Sequence, residues 1–108
     1  MRRPMDKRGI KREIFLLTKP PQSDRAKLCL HLIEHLGNNA TLYLAGDGVY
    51  NLLEFDLLQA VQAKIIMACK EDLEARGVRA EEGVMVPENF YLNLVKDLAT
   101  EGSQIYTF

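Results

Sequence analysis

No tryptophan and only two cysteines occur among the 108 residues, and no apolar run approaches the roughly 20 residues a membrane-spanning helix requires. A membrane anchor is therefore not expected. The thiols Cys29 and Cys69 stand far apart, and no signal-peptide-like apolar segment precedes them. That pattern argues against a disulfide scaffold, leaves both thiols reduced at rest and points to a cytoplasmic protein. Their spacing matches no zinc motif. Charge of one sign is scarce overall, with a formal net charge of -1, but it is unevenly distributed. Residues 1–12 hold Arg2, Arg3, Lys7, Arg8, Lys11 and Arg12 against Asp6 alone. This basic arm reads as a flexible, solvated tail, with contact to nucleic acid as the alternative.

What is present suits one globular domain over residues 13–108, because 47% hydrophobic and 27% charged residues can build a single core of ordinary size. "EIFLLTK" (13–19) is an apolar run closed by Pro20 and Pro21, which reads as a buried strand leading into a loop. A helix follows, capped by Ser23 or Asp24, with Ala26, Cys29, Leu30, Ile33 and Leu36 on one face and Gly37 as the stop. "ATLYLAG" (40–46) is a second strand, and the "GDG" turn at 46–48 opens a helix expected over 49–58. "AKIIMAC" (63–69) and "GVMV" (83–86) are strands three and four. The helix "KEDLEAR" ends at Gly77, another is expected from Glu88 to Thr100, and "QIYTF" (104–108) is the last strand.

Strands that are apolar throughout and alternate with helices predict a mostly parallel five-stranded sheet in a three-layer α/β/α sandwich. Ligands of such sheets bind at the carboxyl ends of the strands. Cys69 falls on that edge, at the join between strand three and a helix, where unpaired backbone N–H groups favour a thiolate. Lys70 adds a positive charge nearby, whereas Glu71 and Asp72 oppose it. Asp47, in the "GDG" turn, lies on the same edge. Cys29, in mid-helix on the apolar face, reads as packing. "HLIEH" (31–35) matches a zinc-peptidase pattern. His31 and His35 point away from the core, however, and no third ligand is evident, so no metal is assigned. Leu28 and Leu32 flank the main stripe of the first helix and suggest an interface.

These residues resemble the DsrE/DsrF/DsrH-like family, which includes the Tus sulfur-relay subunits of 2-thiouridine synthesis. The likeness covers most of residues 13–108. It is carried by the apolar strand before Cys69, by Leu73 and by Arg76-Gly77-Val78, which look like the segment bearing the sulfur-accepting cysteine of DsrE and TusD. "GDGVYNLL" (46–53) is similar to the turn and helix after strand two, most closely in the DsrH/TusB branch, and "SQIYTF" resembles the family's final strand. Two departures accompany it. The DsrH/TusB branch generally lacks the active cysteine, and the loop "TKPPQSD" lacks the longer glycine-rich connection of DsrE and TusD.

The resemblance implies that Cys69 carries sulfane sulfur as a persulfide between donor and acceptor proteins, with Lys70 and Asp47 supporting it. It further implies self-assembly as a dimer, trimer or hexamer, and it names no cofactor. Two other readings stay open: a homo-oligomeric scaffold in which Cys69 is structural, and a small-ligand or nucleotide site at the "GDG" turn.

Overall fold

In the computed structural model, residues 13–36, 39–54, 65–100 and 102–108 are described. The basic arm at 1–12, the expected helix stop at Gly37, residues 55–58 of the helix expected over 49–58 and residues 63–64 of the strand expected over 63–69 lie outside these residues. Strands β1 (Glu13–Leu17), β2 (Ala40–Leu44), β3 (Ile65–Ala68), β4 (Val84–Met85) and β5 (Gln104–Thr107) form one five-stranded sheet. Its order is β4-β3-β2-β1-β5, and every neighbouring pair is parallel. The expected architecture is the one observed.

Between the strands run α1 (Asp24–Leu36), a 3₁₀ helix over Gly46–Leu53, α2 (Lys70–Arg76) and α3 (Phe90–Leu98). The strand order dictates where they go. Stepping from β1 to β2, β3 and β4 moves one way across the sheet, so right-handed crossovers place α1, the 3₁₀ helix and α2 on one face. The return from β4 to β5 runs the other way and carries α3 over the opposite face. The core is divided accordingly. Ala26, Cys29 and Ile33 of α1, Val49 and Leu52 of the 3₁₀ helix and Leu73 of α2 pack on Phe15, Leu17, Leu42 and Leu44. Phe90 and Leu94 of α3 pack on Ile14, Tyr43 and Met67. Each large apolar side chain so buried contributes on the order of 1.5–3 kcal/mol.

Local chemistry fixes the ends of these elements. Ser23 caps α1, its hydroxyl accepting from the Ala26 N–H at 3.1 Å and donating to the Pro20 carbonyl at 2.7 Å. Gly77 closes α2 in the left-handed conformation at φ 65°. The Val78 N–H then donates to the Leu73 carbonyl at 3.0 Å while both side chains enter the core, a Schellman ending. Asn89 caps α3, accepting from the Leu92 N–H at 3.0 Å.

The segment after β2 winds as a 3₁₀ helix from Gly46 instead of the α-helix expected from Val49. Asn51 explains this in part. Its buried Nδ2 donates to the Lys19 and Gly48 carbonyls, each at 2.9 Å, locking the tight turn onto the end of β1. Gly48 lies so close to β1 that a Cβ there would stand 2.0 Å from the Leu17 carbonyl oxygen. Only glycine fits.

Candidate functional site

The register aligns Leu17, Leu44 and Ala68 across the three central strands, so Thr18, Ala45 and Cys69 leave the sheet along one edge. The Cys69 N–H still donates to the Leu44 carbonyl at 3.0 Å, and Cys69 is the residue that precedes α2. Beyond β3 the chain turns to one face of the sheet, and beyond β4 it turns to the other. The two connections therefore part at this point and leave a crevice between them, the kind of switch point where open α/β sheets bind ligands.

A cleft of about 390 Å³ occupies that crevice. Cys69, Glu71 and Asp72 line it from the β3 side, and Glu88, Asn89, Phe90 and Tyr91 from the β4 side. Cys69 as a residue is only 3% exposed, so its sulfur lies at the floor. A second, smaller cavity of about 90 Å³ sits beside Gln22, Lys27 and Glu54, and neither cysteine lines it.

The electrostatics of the floor favour the thiol over the thiolate. Burial pushes the Cys69 pKa above its ordinary value, and the Asp72 and Glu71 carboxylates push it the same way, while the backbone N–H of Asp72 opposes them. The Sγ–H donates to Glu71 Oε1 at 3.5 Å. Helix α2 has only seven residues, and its N-terminus does not outweigh burial and two acidic neighbours. Cys29 is a different case. It is completely buried on the inner face of α1, and its pKa is pushed up to about 12 by burial alone.

Lys70 and Asp47, expected beside the thiol, have other partners. Lys70 Nζ faces Glu88 Oε2 at 3.6 Å, tying the β3 and β4 sides together across the mouth. Asp47 Oδ1 accepts from Arg76 Nε at 3.0 Å, and Arg76 Nη1 reaches Asp72 Oδ1 at 3.3 Å. The other Asp72 oxygen accepts the Gly46 N–H at 2.7 Å. The "GDG" turn is thus stitched to α2 through Asp72 and Arg76, and Asp47 reaches the Cys69 neighbourhood only through them.

Sequence reasoning did not single out this network, although the i, i+4 spacing of Asp72 and Arg76 is its visible signal. Nor did it bring Glu88 and Asn89 to Cys69, because only the β4–α3 connection does so. His31 and His35 are exposed on α1. Among the described residues, no group of three or more His, Cys, Asp or Glu side chains gathers as metal ligands. No described helix is long and apolar enough to cross a membrane.

Among solved structures, the ychN protein from E. coli superposes with a TM-score of 0.70 over 92% of this chain and 100% of that one, at 18% sequence identity. That likeness extends to the fold. No curated protein matches the sequence. The family model described as DsrH like protein matches residues 19–101, which include every strand from β2 to β4 and the whole Cys69 cleft. By that match the chain belongs to the DsrH-like family.

Proposed function

We propose that the protein is a sulfur-relay carrier that accepts sulfane sulfur on Cys69 and passes it to a partner protein. One observation carries the reading. Of the two cysteines, Cys69 alone lines a cleft, and that cleft sits at the switch point of the sheet in a family associated with sulfur relay. The step is a simple exchange. Cys69 loses its proton, and its thiolate attacks the outer sulfur of a donor persulfide R–S–SH. A new S–S bond forms as the donor's S–S bond breaks, giving Cys69–S–SH and R–S⁻, with no net oxidation of the pair. An acceptor thiolate then repeats the attack on Cys69–S–SH.

This chemistry needs no cofactor. It needs an accessible sulfur, an appreciable thiolate fraction and a docking surface. Asp47 supports the site at one remove, by holding Arg76 and so Asp72, while Lys70 spans the mouth to Glu88. The raised Cys69 pKa keeps the resting thiol protonated, so loading accelerates as pH rises. The same reading assigns the protein to the cytoplasm and lets it assemble with itself, for which Leu28, 45% exposed on α1, is a contact candidate. Leu32 is partly buried against the core and contributes less.

The burial of Cys69 favours one second reading, a DsrH-like scaffold with a structural thiol. Intact mass after incubation with a persulfide donor separates the two, using the wild type, Cys29→Ser and Cys69→Ser. A reducible gain of one sulfur atom that disappears only in Cys69→Ser supports the carrier. No gain in the wild type, with Cys69 resisting alkylation until denaturation, establishes the scaffold.

A further inference from the structure

Helix α3 is the sole described helix on its face of the sheet and leaves that face thinly covered. Phe90 and Leu94 turn inward, whereas Tyr91, Leu92, Val95 and Leu98 remain exposed, Tyr91 and Val95 by more than half of their surface. Met85 of β4 pairs with the inward-facing Met67 and so lies on the same side of the sheet, and it too is half exposed. This apolar stripe is continuous with the cleft, because Tyr91 belongs to both. The mouth beside it carries the carboxylates of Glu71, Asp72 and Glu88; Lys70 faces Glu88, and Arg76 is shared between Asp72 and Asp47, so the carboxylates outnumber the cations.

We infer that the outer face of α3 and the acidic mouth together form the docking surface for a relay partner that presents its cysteine beside Lys or Arg side chains and next to an apolar patch. This rests on the persulfide reading above. A second copy of the chain seated permanently on α3 would cover the Cys69 cleft and stop exchange, so the occupant must come and go. A stripe of a few exposed side chains suits a transient contact better than an obligate one, which is larger and more apolar. Charge supplies the selection. Carboxylates around the mouth attract a cation-flanked cysteine and repel an acid-flanked one, raising the encounter rate for the first and lowering it for the second.

The test uses three donors on the full chain: the neutral persulfide of N-acetylcysteinamide, and two otherwise identical amphipathic peptide persulfides with two Lys or two Glu beside the cysteine. Sulfur loading of Cys69 is timed by intact mass. Each peptide rate is divided by the rate of the same protein with the small neutral donor. The Lys peptide is expected to load about tenfold faster than the Glu peptide at low salt, with the preference shrinking as salt rises. The double variant Glu71→Gln, Glu88→Gln should abolish the preference, and Val95→Ser with Leu98→Ser should slow both peptides about fivefold or more by this normalised measure.

Loading by the small donor with no preference between peptides overturns the docking inference and leaves the carrier reading standing. An oligomer that falls to monomer in the Val95→Ser, Leu98→Ser protein assigns the stripe to a second copy and overturns it as well. No loading from any donor removes the carrier reading and this inference together.

Discussion

Replacing Gly48 by alanine tests whether the "GDG" turn is held against β1 as closely as the packing demands. The added Cβ would stand 2.0 Å from the Leu17 carbonyl oxygen, 2.8 Å from its carbon and 3.2 Å from the Thr18 Cα. All three are backbone atoms in or next to a central strand and cannot swing aside. Relief requires the turn to retreat by about 1 Å, which pulls on the Ala45 N–H bond to that same carbonyl, 3.2 Å long. Losing that bond at a buried position costs about 1–3 kcal/mol, and the overpacking itself adds about 1–3 kcal/mol. We expect a destabilisation of at least about 3 kcal/mol, or a fall in Tm of at least about 12 °C for a domain of this size.

Gly77→Ala is the control. It sits at φ 65° with nothing within 4 Å of the new Cβ, so only the left-handed backbone term of about 1–2 kcal/mol applies. Thermal and urea melts followed by circular dichroism measure both. A Gly48→Ala protein that melts within about 5 °C of wild type, or no lower than Gly77→Ala, refutes the close approach and with it the anchoring of the turn to β1.

Glu71→Gln removes the charge of the carboxylate that accepts the Cys69 S–H. The Cys69 pKa should then fall, so alkylation at neutral pH speeds up and the midpoint of its pH–rate profile moves down; a midpoint that stays or rises contradicts the electrostatic account. Cys29 is protonated in the folded state up to about 12 but ionises from its ordinary value of 9.0 once unfolded, so the folded protein binds the extra proton at high pH. Its contribution is intact below 9.0 and is lost as pH climbs towards about 12, by up to about 4 kcal/mol. Cys29→Ala should flatten that part of a stability–pH curve measured by urea denaturation, and an unchanged slope would show that the burial is not felt.

The sheet was legible because its signals are local. Leu42, Tyr43 and Leu44 are apolar without alternation and prove fully buried; such a run means a strand covered on both faces. Gly77 ends α2 because Leu73 and Val78 must both reach the core, a pattern written within six residues. The 3₁₀ helix was harder to read. Its buried pairs, Gly48 with Asn51 and Val49 with Leu52, recur every third residue, a spacing an α-helix shares. What decides the tighter winding is the contact of Gly48 with Leu17 and of Asn51 with Lys19, thirty or so residues away.

The site divides in the same way. Cys69 at a strand–helix join is visible in the sequence, but its pKa is raised first by burial, and one wall of the cleft that encloses it arrives from β4. Lys70 is next to Cys69 in sequence yet reaches across to Glu88, since adjacency along the chain does not set side-chain direction.

The pairing of β1 with β5 carries a consequence for how the molecule comes into being. Phe108 extends that seam, donating to the Leu16 carbonyl at 2.8 Å and accepting from the Thr18 N–H at 2.9 Å. On the ribosome, β1 through β4 can zip together in the order of their synthesis, each against the strand just made. The flank of β1 that β5 will occupy stays bare until residues 104–107 emerge. A chain cut before residue 104 would therefore keep the strands that carry the Cys69 cleft but leave the outer flank of β1 with unpaired backbone groups, an open edge on which a strand of another molecule could add.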